Sequence, residues 1–309
     1  MVQVIAMENL LFAVVCTPFC VGALVLNVVF VLCLWRPAAG VSIRQPLFLL
    51  LAALLGNSTV QQAIALISVA LCFSAPPDWL LVANVAIVFQ TYCSNFSLNA
   101  WISIFYYVKI VPQHSDVFAW IKKNIKAIVY AGFLFDQTLL LAALSIGTAS
   151  YLTPETRSNE TTSLGKTVLN NSLYEAATRM FMMYLICPSC TLAISWGRTF
   201  FYLRRHIRRM EQTTGSSGHR QQKNHMRVTV MGIVQTVLFI PTSFYAMTMA
   251  VLFSTLYETL DSDKHITITI TSISNLANIF CLGFSQNVFR TRVIAWVQRV
   301  RRAFGLVET

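Results

Sequence analysis

Few residues in this chain are able to do chemistry, and their spacing argues against covalent catalysis. Cys187 and Cys190 enclose two residues, the spacing of a redox or metal-binding pair. They follow Ile186, flank Pro188 and sit in an apolar run, so they read as small packing residues, as do the other six cysteines. The five histidines (His114, His206, His219, His225 and His265) fall at or beyond the ends of apolar runs. An intramembrane hydrolytic or metal site would need them inside. One carboxylate, Asp136, lies within an apolar run beside Gln137, either protonated or paired with a neighbouring polar side chain. No nucleophile–base pair, metal box or phosphate-binding loop can be assembled, so neither enzyme activity nor a cofactor is expected.

The remaining polar residues suit recognition. Asn27 and Asn57 fall at comparable depth in apolar runs, where Asn278 and Ser285 can join them. Hydrocarbon offers such groups no partner. They act either as interhelical glue, worth about 0.6 kcal/mol per hydrogen bond, or as a conformational switch. Asn159-Glu160-Thr161 and Asn170-Asn171-Ser172 are glycosylation sequons in a polar stretch, 150–176, read as a long outer loop. The sequons at Asn57 and Asn95 fall inside apolar runs and read as buried polar residues.

The elements that position these groups are seven apolar stretches, at about 9–34, 47–73, 79–108, 125–149, 177–203, 228–254 and 265–288. Roughly 20 helical residues cross a hydrocarbon core of about 30 Å. The chain is 56% hydrophobic and 11% charged, with mean hydropathy +0.61. A soluble domain of 309 residues would carry far more charge. The sequence therefore predicts one all-α membrane domain over 1–309, a seven-helix bundle. Its first span acts as an uncleaved start-transfer segment.

Orientation follows from charge. Of the 23 Lys and Arg, all but Arg157, Lys166, Arg179 and Lys264 fall on the side opposite the N-terminus. The positive-inside rule places the N-terminus outside and the C-terminus in the cytoplasm. The net charge of +11 is a topology signal, with no motif for nucleic acid. Thr213 to Gly218 reads as a flexible inner hinge. Beyond the last span, Val293, Ile294, Trp296, Val297, Val300 and Phe304 alternate with Arg292, Arg299, Arg301 and Arg302. That predicts a short amphipathic helix over about 290–304, lying on the inner leaflet. No internal repeat of the transporter kind is present.

Seven helices with an outer N-terminus suggest a G-protein-coupled receptor, yet the rhodopsin-like signatures are missing. The third span ends Phe105-Tyr106-Tyr107-Val108-Lys109-Ile110 in place of Asp/Glu-Arg-Tyr. The seventh ends Gly283-Phe284-Ser285-Gln286-Asn287-Val288-Phe289 in place of Asn-Pro-x-x-Tyr. No cysteine stands in 150–176 to staple that loop to the third helix. FYYVKI, followed by Phe118 and Trp120-Ile121-Lys122-Lys123, instead resembles the FYFLKIA…F-x-x-LK stretch of the type 2 (bitter) taste receptors. Tyr202-Leu203-Arg204-Arg205-His206-Ile207-Arg208-Arg209-Met210 resembles that family's SL-x-x-H-x-x-x-M, and His225-Met226-Arg227-Val228 its H-x-x-AL. Departures are the missing buried arginine of LA-x-SR, here Leu51-Ala52-Ala53-Leu54-Leu55, and Val111-Pro112-Gln113-His114 in place of ANFS. The chain reads as a divergent member, or as one of the neighbouring vomeronasal type 1-like chemosensory receptors; a multi-span transporter is the more distant alternative.

The resemblance implies a plasma-membrane receptor with an outward-facing ligand cavity between helices three, five, six and seven. Candidate ligand residues are Phe89, Tyr92, Asn95 and Asn99, which share one face of the third helix at three- and four-residue steps. Thr242 and Tyr245 follow Pro241 in the sixth, and Thr267 and Thr271 lie in the seventh. Aromatics with a few hydroxyls and amides suit small, mostly apolar organic ligands. The resemblance also implies coupling to a gustducin or Gi-type G protein. The candidate contacts are Tyr106, Lys109, Lys122, Arg205, His206, Arg209, His225 and Arg227, with Lys109 the foremost because it ends the aromatic run.

Overall fold

The computed structural model describes residues 7–35, 46–74, 76–112, 115–152, 160–211, 219–255 and 264–285, with 289, 293, 294 and 298. Among them there are seven helices and no strand: α1 (Asn9–Trp35), α2 (Leu47–Leu71), α3 (Asp78–Ile110), α4 (Asp116–Leu152), α5 (Glu160–Glu211), α6 (His219–Thr255) and α7 (His265–Ser285). Each contains a stretch long and apolar enough to cross a membrane. The chain is thus a multi-pass membrane protein. Helices dominate because a chain crossing hydrocarbon must satisfy every backbone group within its own segment.

The bundle closes on itself, with α1 against α2 and α7, and α5 against α6. α3 is its hub, touching α2, α4 and α5, and residues 91–100 are buried without a break. α4 presents most of its surface outward, with Leu134, Phe135 and Leu141 exposed, as lipid-facing residues should be. In lipid the apolar effect does not draw helices together, so close packing must. Gly132 of α4 admits the Trp101 ring of α3; a Cβ there would lie 2.2 Å from the ring. Gly232 of α6 does the same for Trp196 of α5, with a Cβ falling at 2.3 Å.

The sequence-predicted spans recur, and three sequence-based readings are corrected. α4 starts at Asp116 rather than near 125, because its first turns, with exposed Lys122, Lys123 and Lys126, project beyond the apolar core. The stretch 150–176 is mostly not a loop: α4 runs to Leu152 and α5 begins at Glu160. The polar residues there carry the helix past the bilayer, where nothing obliges it to stop. Asn170 accordingly lies on a helix, whereas Asn159 and the hinge at 213–218 lie outside the described residues. Cys187 and Cys190 are exposed on α5, so they face lipid instead of packing inside. Of the expected amphipathic segment 290–304, only Val293, Ile294 and Gln298 are described, each helical; the rest lies outside the described residues.

Candidate functional site

Two layers of polar residues cross the bundle between α2, α3, α6 and α7. The outer layer is aromatic and hydroxylic. Tyr92 is buried and packs edge-on against Phe96 at 5.2 Å, and Phe96 meets Phe239 of α6 at 4.4 Å. The Tyr92 hydroxyl lies beside Thr242 and Ser243 but closes no hydrogen bond. Tyr245 and Thr267 share one at 3.3 Å, joining α6 to α7. Thr242 and Ser274 share another at 3.4 Å, and Ser189 of α5 meets Ser243 at 3.3 Å. Phe89, half-buried one turn outward of Tyr92, touches Phe181 of α5 edge-on at 5.5 Å. Thr271 is buried and turns its hydroxyl onto the Ile268 carbonyl of its own helix.

Local sequence explains why α6 offers hydroxyls here. Pro241 cannot donate to the carbonyl one turn back. The next two side chains fold onto the same turn: Thr242 donates to the Phe239 carbonyl at 2.9 Å, and so does Ser243, also at 2.9 Å.

The inner layer is a chain of amides. Asn57 of α2 donates to Asn95 Oδ1 at 2.8 Å and to the Thr91 carbonyl at 2.7 Å. Asn95 donates to Gln61 Oε1 at 2.7 Å, and Asn99 to the Asn95 carbonyl at 2.7 Å. Gln235 of α6 then donates to Asn99 Oδ1 at 2.6 Å and to Asn278 Oδ1 of α7. So four helices are tied by neutral amides, each of which has few alternatives at this depth. Nearer α1, Asn27 donates to Ser58 at 3.0 Å, and Asn275 to the Ser58 carbonyl at 3.4 Å.

The expected polar network is realised in part: Asn57 and Asn278 share the amide chain, whereas Asn27 bonds Ser58 apart from it. Asn278 joins through Gln235, a residue that sequence reasoning passed over although a glutamine within an apolar run is its own signal. Ser285 does not join; its hydroxyl bonds the Leu282 carbonyl. Asn95 and Asn99 are buried in the amide chain, a turn or more inward of Tyr92. Asp136 finds the partner that its burial demands: Ser97 of α3 donates to its Oδ2. Tyr184 of α5 donates to the Asp136 carbonyl at 2.6 Å.

The inner end collects the candidate coupling residues on the ends of α3, α4, α5 and α6. Lys109, Lys122, Arg205 and Arg227 are exposed, as a docking face requires. Lys109 places its Nζ 4.1 Å from the centre of the Phe105 ring. Tyr106 is half-buried and lies 5.8 Å from Trp196, the ring seated on Gly232. His206 packs beside Tyr202 at 5.8 Å. The side chains of Arg209 and His225 lie outside the described residues.

The sequence model of the taste receptor protein (TAS2R) family matches residues 1–299. The chain belongs to that family. No curated protein matches the sequence. Among solved structures, the receptor's fold is similar to the crystal structure of squid rhodopsin, with a TM-score of 0.57 at 11% identity. That match covers 94% of this chain and 87% of the other. Family and fold together make the protein a taste receptor of the G-protein-coupled kind, and such receptors have a ligand and a G protein as partners. Both the third-helix ending and the missing loop cysteine, which set it apart from rhodopsin-like sequences, accord with that placement.

Proposed function

We propose that this receptor binds small, mostly apolar organic molecules of the bitter-tastant type and activates a gustducin or Gi-class G protein at the plasma membrane. The ligand contacts Phe89, Tyr92, Thr242, Tyr245 and Thr267 from the outer side; Asn95, Asn99 and Thr271 form the floor and wall beneath. Tyr106, Lys109, Lys122, Arg205, His206, Arg209, His225 and Arg227 make the coupling face. Asn159 and Asn170 carry N-linked glycans.

The observation that carries the reading is the place of Gln235, inward of Thr242 and Tyr245 on α6 and bonded to both α3 and α7. A ligand that shifts those two side chains changes how strongly α6 is held. It biases the receptor only through its differential affinity for the tied and released states.

The test is expression of the full chain with a chimeric gustducin-like G protein and a calcium indicator, against bitter compounds, bile-acid-like molecules and volatile odorants. A response to bitter compounds that Lys109→Ala abolishes at unchanged surface expression supports the proposal. A response confined to volatile odorants counts against a bitter-type ligand for this receptor. Silence across the panel from a receptor at the surface counts against a bitter ligand.

A further inference from the structure

The inner end of α4 carries an exposed face that extends beyond its coupling candidate, Lys122. Trp120 is 61% exposed, and Val117, Lys123 and Lys126 are exposed around it. Steps of seven residues lead from Trp120 through Ala127 to Leu134 and Leu141, all of them exposed. Seven residues make about two helical turns, so these four form one stripe along α4. Its outer part faces lipid, and Trp120 therefore faces lipid too. Lys123 lies three residues from Trp120 and four from Ala127, on the same side. Lys126 follows one turn later on the flank.

Depth follows from length. The membrane-crossing part of α4, Asp116–Ile146, has 31 residues and is about 46 Å long at roughly 1.5 Å per residue. A hydrocarbon core with both headgroup layers is about 40–45 Å thick. The first turns of α4 consequently stand among the inner headgroups, a layer in which tryptophan is enriched. They are also anchored. The Phe118 N–H donates to Ser115 Oγ at 3.3 Å and to the Ser115 carbonyl at 3.0 Å. The buried Phe118 ring meets Tyr107 of α3 edge-on at 6.1 Å. The lysines are thus fixed to a docked helix. Among the described residues no carboxylate pairs with Lys122, Lys123 or Lys126. Asp116 lies two turns from Lys123, about 10 Å along the axis. Lys126 stands four residues from Lys122 and three from Lys123, spacings at which like charges repel. A headgroup with several phosphate charges offsets both repulsions together. A soluble partner meets the helix ends, whereas a stripe at headgroup depth is covered by lipid.

We propose that Lys123 and Lys126, beside Trp120, form a docking site for an inner-leaflet acidic phospholipid with a multiply phosphorylated headgroup. Phosphate oxygens accept from the two ammonium groups, and Lys122 adds charge at the edge. The acyl chains follow the stripe of Ala127, Leu134 and Leu141. The site does not depend on which ligand or G protein the receptor uses.

The test uses the purified full chain in mixed micelles of phosphatidylcholine with phosphatidylserine or phosphatidylinositol bisphosphate, at matched total charge. Mass spectrometry of the intact complex counts the lipid retained across a titration. The expected result is one bisphosphate lipid per chain, retained ahead of the other two lipids. Lys123→Gln and Lys126→Gln should each weaken it about fivefold, the factor that one lysine contributes near anionic headgroups. The double variant should lose about 25-fold on the same basis. Arg198→Gln, which removes an exposed charge from α5, should leave the affinity unchanged. An unchanged thermal midpoint in phosphatidylcholine alone verifies that each variant is folded. Equal retention of phosphatidylserine, or an equal loss from Arg198→Gln, overturns the proposal in favour of diffuse attraction to a basic inner face. So does bisphosphate binding that survives the double variant.

Discussion

Gln235 of α6 donates to Asn99 of α3 at 2.6 Å, and the same amide nitrogen reaches Asn278 of α7. One side chain therefore ties α6 to both α3 and α7. Replacing it with leucine keeps the volume but leaves two carbonyl oxygens without their donor. Each interhelical hydrogen bond in lipid is worth about 0.6 kcal/mol, so Gln235→Leu is expected to cost roughly 1 kcal/mol of stability. It should also raise basal G-protein activation, because the tied state loses more than the released one. Thermal midpoint and ligand-free signalling read the two effects separately; unchanged basal activity would remove Gln235 from the switch.

Gly232 offers a steric test of the same helix. A methyl group there would lie 2.3 Å from the Trp196 ring, and overpacking of this kind costs about 1–3 kcal/mol. Gly22→Ala, whose new Cβ would meet nothing within 4 Å, should be neutral or stabilising by up to about 1 kcal/mol. Replacing Trp196 with leucine should recover much of the Gly232→Ala loss. Additive losses in the double variant would show that the two residues do not meet in the way described.

How much of this was legible in the sequence depends on what the bilayer dictates. The seven spans were, because hydrocarbon thickness sets their length and composition. The extension of α5 back to Glu160 was not: outside the membrane no solvent constraint separates a polar helix from a polar loop. Asn278 was legible as a network member through its depth, whereas its route through Gln235 depends on the rotation of α6 about its axis. Trp196 against Gly232 depends on crossing geometry, which a single sequence does not encode in any period. Cys72 reads in the sequence as a packing residue and His265 as a residue at the end of an apolar run; they are 193 positions apart, and only the fold brings Sγ within 3.1 Å of Nε2.

Lys109 tests the inner face. Its ammonium sits 4.1 Å from the centre of Phe105, an exposed contact worth about 0.5–1 kcal/mol. Lys109→Ala should therefore barely shift the thermal midpoint yet abolish coupling. Lys109→Arg, which keeps both charge and stacking, should retain most of the response. If Arg fails while Ala folds normally, the site needs the compact ammonium and not simply positive charge. A parallel loss from Arg179→Ala, which breaks only an exposed ion pair with Glu175 on the outer side, would mean that the assay is reporting surface delivery.

Tyr92 separates ligand recognition from packing. Its ring is held by Phe96, while its hydroxyl is buried beside Thr242 and Ser243 without a closed hydrogen bond. A buried polar group left unsatisfied costs about 1–3 kcal/mol. Tyr92→Phe removes that group and keeps the ring, so the ligand-free receptor should be as stable as before or gain up to about 1 kcal/mol. If the hydroxyl is held ready for a ligand, the same change should lower potency about tenfold, since a hydrogen bond of roughly 1.4 kcal/mol is lost only from the bound state. Dose–response curves and ligand-free melting on the same preparation decide the matter. Lower stability with unchanged potency would make Tyr92 a packing residue and move the ligand outward, toward Phe89 and Phe181.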